Sequence, residues 1–291
     1  MPTTIAPIQM TRTWDTLGEV APTTLVASRE TLHHAAQLLA LVGASFLDAE
    51  RDDSHTSLTW MPTVGALTTQ PIRAGTTLRF GLRIADLTLL VGDESARAET
   101  GSFRLHGRTR DDALEWIRTQ AARAGLDASR LRSRLHFTIA DHVTDQGASF
   151  KRPDDGTFEE LARWYGNASL FLEQRRASMA GAGPVRCWPH HFDIATLVRP
   201  AEGPLESIGI GLSPGDGSYA EPYYYVGPSP APLSMPQPLT IGSWHTTGWW
   251  GAALLGSRIV MEQTGTKQAA VVAGFVDEAI ERLIVTERAG A

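Results

Sequence analysis

Apolar residues change their spacing several times along the chain, and each change marks an element. Over residues 28–50, Leu32, Ala35, Leu39, Val42 and Phe46 recur at steps of three and four, the stripe of an amphipathic helix. The period then shortens. Residues 55–72, 76–84, 87–91 and 102–106 are short runs rich in Val, Ile, Leu, Thr and Phe, divided by Gly and Asp, and they predict strands. A second helix is expected over 111–124, capped near Thr109 or Arg110, with Leu114, Ile117 and Ala121 on one face and Gly125 as its stop. Thr157 and Glu160 have the spacing of a capping box and open a third helix, striped by Leu161, Trp164, Ala168 and Phe171. Strand-like runs follow at 185–198, 207–212, 223–226 and 249–255. A last helix over 267–284 carries Val272, Phe275, Val276, Ala279 and Leu283.

Each half therefore reads as helix, strands, helix. Trp60-Met61-Pro62 and Trp188-Pro189 occupy equivalent places, as do Leu67-Thr68-Thr69 and Ile194-Ala195-Thr196, which predicts a diverged internal duplication. Strands bracketed by helices favour antiparallel pairing, so the expected class is α+β. Two pseudo-repeated halves, 28–150 and 151–291, would pack as one unit behind an extended N-terminal arm, 1–27.

Composition narrows the function. The 291 residues carry 26 basic and 32 acidic side chains, a net charge of -6 that argues against nucleic acid as the main partner. Only Lys151 and Lys267 are lysines. One cysteine, Cys187, excludes an intramolecular disulfide framework and a cysteine-clustered metal site. No signal-peptide pattern and no apolar run of about 20 residues is present, so a cytoplasmic protein with no membrane partner is expected. Gly209-Ile210-Gly211 lacks the third glycine of a dinucleotide fingerprint.

The densest chemistry lies in Cys187-Trp188-Pro189-His190-His191-Phe192-Asp193. If the segment is extended, alternate residues share a face, and His191 and Asp193 project together. Imidazole and carboxylate at that spacing are two thirds of a 2-His-1-carboxylate metal triad, with His245 as the returning ligand, His190 as a further one, and iron, zinc or manganese as the ion. Arg258 would then hold an acidic substrate or cosubstrate, as in non-haem iron oxygenases. Glu221, Tyr223 and Tyr225 share a parity and would add a polar wall to an apolar pocket. Trp188 and Trp249 could line it, although large aromatics belong more often to a core. The bland alternative makes Asp193 a hydrogen-bonded scaffold residue and the histidines packing residues.

Three other features point to structure. Gly211-Leu212-Ser213-Pro214-Gly215 has nucleophile-elbow spacing, but Gly217, Tyr219 and Pro222 follow where the elbow must enter a helix, so a turn is expected. Arg130, Arg132 and Arg134 alternate with Leu131, Ser133 and Leu135 and predict a charged strand edge. His33-His34 cannot both face one metal from a helix, and solvated or cap-side rings are expected.

Several short segments, in order, resemble a bacterial family of unknown function. Leu67-Thr68-Thr69-Gln70-Pro71-Ile72 is similar to its G-L-T-T-S-P-I, Phe192-Asp193-Ile194-Ala195 to its F-D-L-A, and Gly211-Leu212-Ser213-Pro214-Gly215 to its G-F-W-P-G. Tyr223, Tyr225, Pro228 and Pro230 fall on its F-Y-x-Y-x-Y-P-E-P, and Thr31-Leu32-His33 with Gln37 on its T-L-H helix. The resemblance implies no reaction or cofactor, and His190-His191 stands where members carry small or aromatic residues. The functional expectation is a small-molecule enzyme, metal-dependent if His191 and Asp193 ligate. The alternatives are a noncatalytic protein gripping a small ligand or partner in a Trp/Tyr-rich pocket, and a homo-oligomer with aromatic self-contacts.

Overall fold

The computed structural model describes residues 13–95, 98–201 and 205–290, and side chains up to residue 286. Residues 1–12 of the expected arm lie outside the described residues. From Thr13 the arm is extended, turns at Pro22–Thr24, and leads into helix α1, Val26–Phe46. The arm packs onto the second half: Asp15 N–H donates to Asn167 Oδ1 (2.9 Å), Leu17 N–H to Gln268 Oε1 (2.9 Å) and Gly18 N–H to Glu160 Oε1 (2.7 Å).

After α1 come strands β1 (Thr59–Met61), β2 (Ala66–Thr68), β3 (Ile72–Arg73), β4 (Thr77–Arg83), β5 (Thr88–Asp93) and β6 (Glu99–Arg104), then helix α2 (Arg110–Arg123). The expected run 55–72 is thus three short strands. All pairings are antiparallel, in the order β1-β2-β4-β5-β6, with β3 beside β4. Thr109 caps α2 through a reciprocal pair with Asp112. The arginines 130, 132 and 134 form no strand; Ala128–Arg130 is a single tight helical turn, and irregular chain follows.

The second half opens with α3, Thr157–Ser178. Thr157 and Glu160 do not form the expected capping box. Asp155 Oδ1 accepts from the Thr157 N–H (3.1 Å) and hydroxyl (2.6 Å), while Glu160, fully buried, holds the arm and Arg163. Strands β7 (Arg186–Trp188), β8 (Asp193–Val198), β9 (Ser207–Ser213), β10 (Tyr223–Ser229), β11 (Ser243–His245) and β12 (Gly251–Leu255) build an antiparallel sheet ordered β11-β12-β10-β9-β8-β7. The short helix α4 (Gly256–Ile259) and the long α5 (Gly265–Gly290) close the chain. The class is α+β, as expected.

The two sheets meet at β1 and β7, where Leu58 and Cys187 exchange two backbone hydrogen bonds of 2.8 Å. α1 packs against β4 and α3, α3 covers β8 and β9, and α5 covers β10 and β12. One contiguous core runs from Leu17 through Leu38, Phe80 and Trp164 to Leu283. Period-two alternation then splits β10: Tyr224 is fully buried against Trp14 and Phe171, while Tyr223 and Tyr225 point to the sheet's other face. That face carries the site. Among the described residues, no helix is long and apolar enough to cross a membrane.

Candidate functional site

The segment expected as one strand, 185–198, is a hairpin. Trp188 pairs with Asp193 across β7 and β8, and residues 189–192 form the reversal. Its first carbonyl, Pro189 O, accepts from His33 Nε2 and Gln37 Nε2, both at 2.8 Å, which ties the turn to α1. Its last residue, Phe192, has φ +61. A bulky side chain in the left-handed region costs roughly 1–3 kcal/mol and persists only where the surroundings over-determine it. They do so here. The Phe192 N–H donates to Trp188 O (2.6 Å), its carbonyl accepts from the buried Tyr165 hydroxyl (2.5 Å), and its ring stacks on His33 at 5.2 Å and 5°. His191 and Asp193 flank this pinned residue and reach one cavity, by a turn and not by the expected strand parity.

That cavity has a volume of about 250 Å³. Asp193 forms its floor from β8, with Ser213 from the end of β9, Tyr223 and Tyr225 from β10, Trp249 from before β12, and Asp216 and His191 from turns. Tyr225 must cross β9 to reach β8, and Gly211 is what allows it. A Cβ at Gly211 would sit 2.6 Å from the Tyr225 hydroxyl oxygen and 2.8 Å from Ala195 Cβ. With the strand bare at that point, the Tyr225 hydroxyl donates to Asp193 Oδ2 at 2.5 Å. Tyr223 makes a parallel bond to Asp216 Oδ2 at 2.6 Å. Asp216 Oδ1 accepts from the N–H groups of Ser218 (2.7 Å) and Tyr219 (3.1 Å).

Asp193 Oδ1 is different. It is buried and has no protein partner, in a residue only 9% exposed. Burial raises the Asp193 carboxyl above its ordinary value; the Tyr225 hydrogen bond and the nearby His191 oppose that rise, and Asp216 adds to it. Tyr225 is pushed up by burial and then by Asp193, and Tyr223 by burial and then by Asp216, so both phenols keep their protons.

A wider cleft of about 450 Å³ shares His191 and Asp216 with this cavity. Its walls include Arg29, Glu30 and His33 from α1, Asp141 and His142 from the chain after α2, and His190. His33 and His34 are not solvated rings. Burial lowers His33 to about 4. The buried His34 sets one ring nitrogen 3.0 Å from Ala140 O and the other 3.0 Å from Asp145 Oδ2, tying that chain to α1.

The other expected residues fall elsewhere. Glu221 precedes β10 and caps α4, accepting from the Ser257 N–H (2.5 Å) and hydroxyl (3.1 Å). Arg258 lies on α4 beside Glu262 at 3.5 Å. Trp188 is half-buried, edge-on to His190, and does not line the cavity. His245 is stacked on Trp249 at 4.3 Å and 19°. Its Nε2–H donates to Thr247 O (2.6 Å), which leaves Nδ1 to accept from the Tyr219 hydroxyl (2.9 Å) and no lone pair for a metal. Among the described residues, no three His, Cys, Asp or Glu side chains are grouped to hold a metal ion. The proposed iron, zinc or manganese triad of His191, Asp193 and His245, with His190 as an extra ligand, is therefore not assembled.

Residues that sequence reasoning passed over complete the site. Asp216 sits between two glycines in a turn, a pattern that reads as punctuation. Gly211 stands out in the sequence through its motifs and not as a gap in a strand, Tyr165 looks like an ordinary helix residue, and nothing in the sequence ties His33 and Gln37 to the turn at Pro189. Comparison of the chain with protein-family models, curated proteins and solved structures finds no significant match.

Proposed function

We propose that this protein is a small-molecule enzyme whose acid-base group is Asp193, assisted by His191. The observation that carries the reading is the unpartnered Asp193 Oδ1 beside a cavity of ligand size. An open acceptor on a buried carboxylate is costly, and sites of chemistry are where such costs persist. A carboxyl whose affinity for a proton is raised by burial is a better general acid-base group than an ordinary, fully solvated one. His191, exposed at the mouth, can pass that proton between Asp193 and solvent. The strained Phe192 between them fixes both groups without a metal ligand.

The test is to incubate a mixture of small metabolites with the wild-type protein and with Asp193→Asn, following each compound by mass spectrometry. A compound consumed by wild type and spared by Asp193→Asn and His191→Ala supports the reading. Equal consumption by all three, or consumption by none, contradicts it. A noncatalytic binding role is favoured by the Tyr223–Trp249 stack, 6.0 Å and 18°, which forms a ready platform for a flat ligand. Under that reading the same ligand binds but is returned unchanged.

We also infer that the two halves descend from a duplicated unit. The order of strand neighbours supports this: a helix then β1-β2-β4-β5-β6, with β3 beside β4, and a helix then β7-β8-β9-β10-β12, with β11 added at the edge.

A further inference from the structure

We infer that the inner cavity takes a compact primary ammonium compound. This rests on the reading of the cavity as a small-molecule site and adds the class of ligand. Tyr223 and Tyr225 have spent their protons on Asp216 and Asp193. The Trp249 indole N–H donates to Ser218 Oγ at 3.2 Å, and Ser213 Oγ accepts from the Gly215 N–H at 3.2 Å. Apart from the His191 ring and the Ser213 hydroxyl, the wall's own donors are committed, while the buried Asp193 Oδ1 has no protein donor. The missing partner must therefore bring hydrogen to the site.

Charge and shape narrow it further. Two carboxylates and one imidazole line the cavity, and no lysine or arginine is among its lining residues. The one arginine of the adjoining cleft, Arg29, is engaged with Glu30 (3.2 Å) and Ala220 O (3.4 Å). An anion would meet two like charges and few free donors. Three rings complete the enclosure. Tyr223 and Trp249 are stacked, and Tyr225 stands at 55° and 71° to them. Aromatic faces beside carboxylates attract an organic cation by its charge and its hydrocarbon at once. The volume, about 250 Å³, lies under the usual range for drug-sized ligands and calls for a small molecule.

The experiment titrates the full chain with three probes of one shape, benzylammonium, benzyl alcohol and benzoate, followed by amide and indole NMR shifts. Benzylammonium is expected to bind at least about tenfold tighter than either analogue and to move the Trp249 indole resonance. Asp193→Asn and Trp249→Leu should each weaken it by about tenfold or more. Trp249 is half-buried, so its variant tests the site even if Asp193→Asn fails to fold. Benzyl alcohol or benzoate binding the same cavity as tightly would overturn the ammonium assignment while leaving a small-molecule site. If no probe shifts a cavity resonance, both the assignment and the site are overturned.

Discussion

A single imidazole, His33, carries much of the support beneath the hairpin turn. Burial lowers it to about 4 from an ordinary 6.5, and the neighbouring His34, Arg29 and His191 act in the same direction. Between those two values the unfolded chain binds the proton and the folded chain does not, so stability rises with pH across the window and is lost as pH falls through it. The shift corresponds to on the order of 3 kcal/mol. His33→Phe keeps the stack on Phe192 but removes the titrating group, so urea unfolding at a series of pH values should show a shallower rise between pH 4 and 6.5. An unchanged slope would show that His33 is not held neutral. Sequence reasoning took this ring as solvated or cap-side because a helical stripe does not tell which neighbour covers a histidine. It did single out His191, Asp193, Tyr223 and Trp249, since their chemistry is visible in their types. Tyr225 shared the parity of Tyr223 and was placed with it in the pocket wall, whereas Asp216 was missed, because its place depends on how the turn after β9 folds back toward β10.

At the level of elements, Gly211 decides whether β10 can serve β8. Gly211→Ala should push Tyr225 off Asp193 and destabilise the protein by about 1–3 kcal/mol, as overpacking does. Gly209 lies two residues earlier on the same strand, and a Cβ there would have only ordinary contacts, the nearest at 3.6 Å. Gly209→Ala is therefore the control and should stay much closer to wild type in denaturant midpoint and benzylammonium affinity. Equal effects of the two substitutions would remove the close crossing from the account. The long helices were legible from spacing alone, since α1, α3 and α5 each bury a sustained stripe. The hairpin β7–β8 was not, because Trp188-Pro189-His190-His191 carries no glycine to mark a reversal and the turn is held by α1 and α3 from outside the segment.

Across the whole molecule, the site exists because the halves are joined. α1 belongs to the first half yet braces the turn of the second, and the arm that precedes it is bonded to α3 and α5. Cys187 sits at the junction of the two sheets, fully buried, with its thiol pushed well up by burial. As the chain's one cysteine it reports on that junction, since the thiolate is the reactive form. Alkylation should be negligible under native conditions and should follow global unfolding in denaturant; rapid native labelling would mean that the halves separate readily. The α+β class and its helix-bracketed strands were readable from periodicity, whereas the edge-to-edge meeting of β1 and β7 leaves no pattern in either strand. What this assembly produces is a carboxyl with one bonded and one open oxygen. The carboxyl carbon of Asp193, followed by NMR across a pH titration and assigned with Asp193→Asn, should titrate above the ordinary 3.8, and higher still in Tyr225→Phe. A midpoint at or below 3.8, unmoved by the loss of the Tyr225 hydroxyl, would mean that Asp193 is a fully satisfied scaffold residue with no proton to offer.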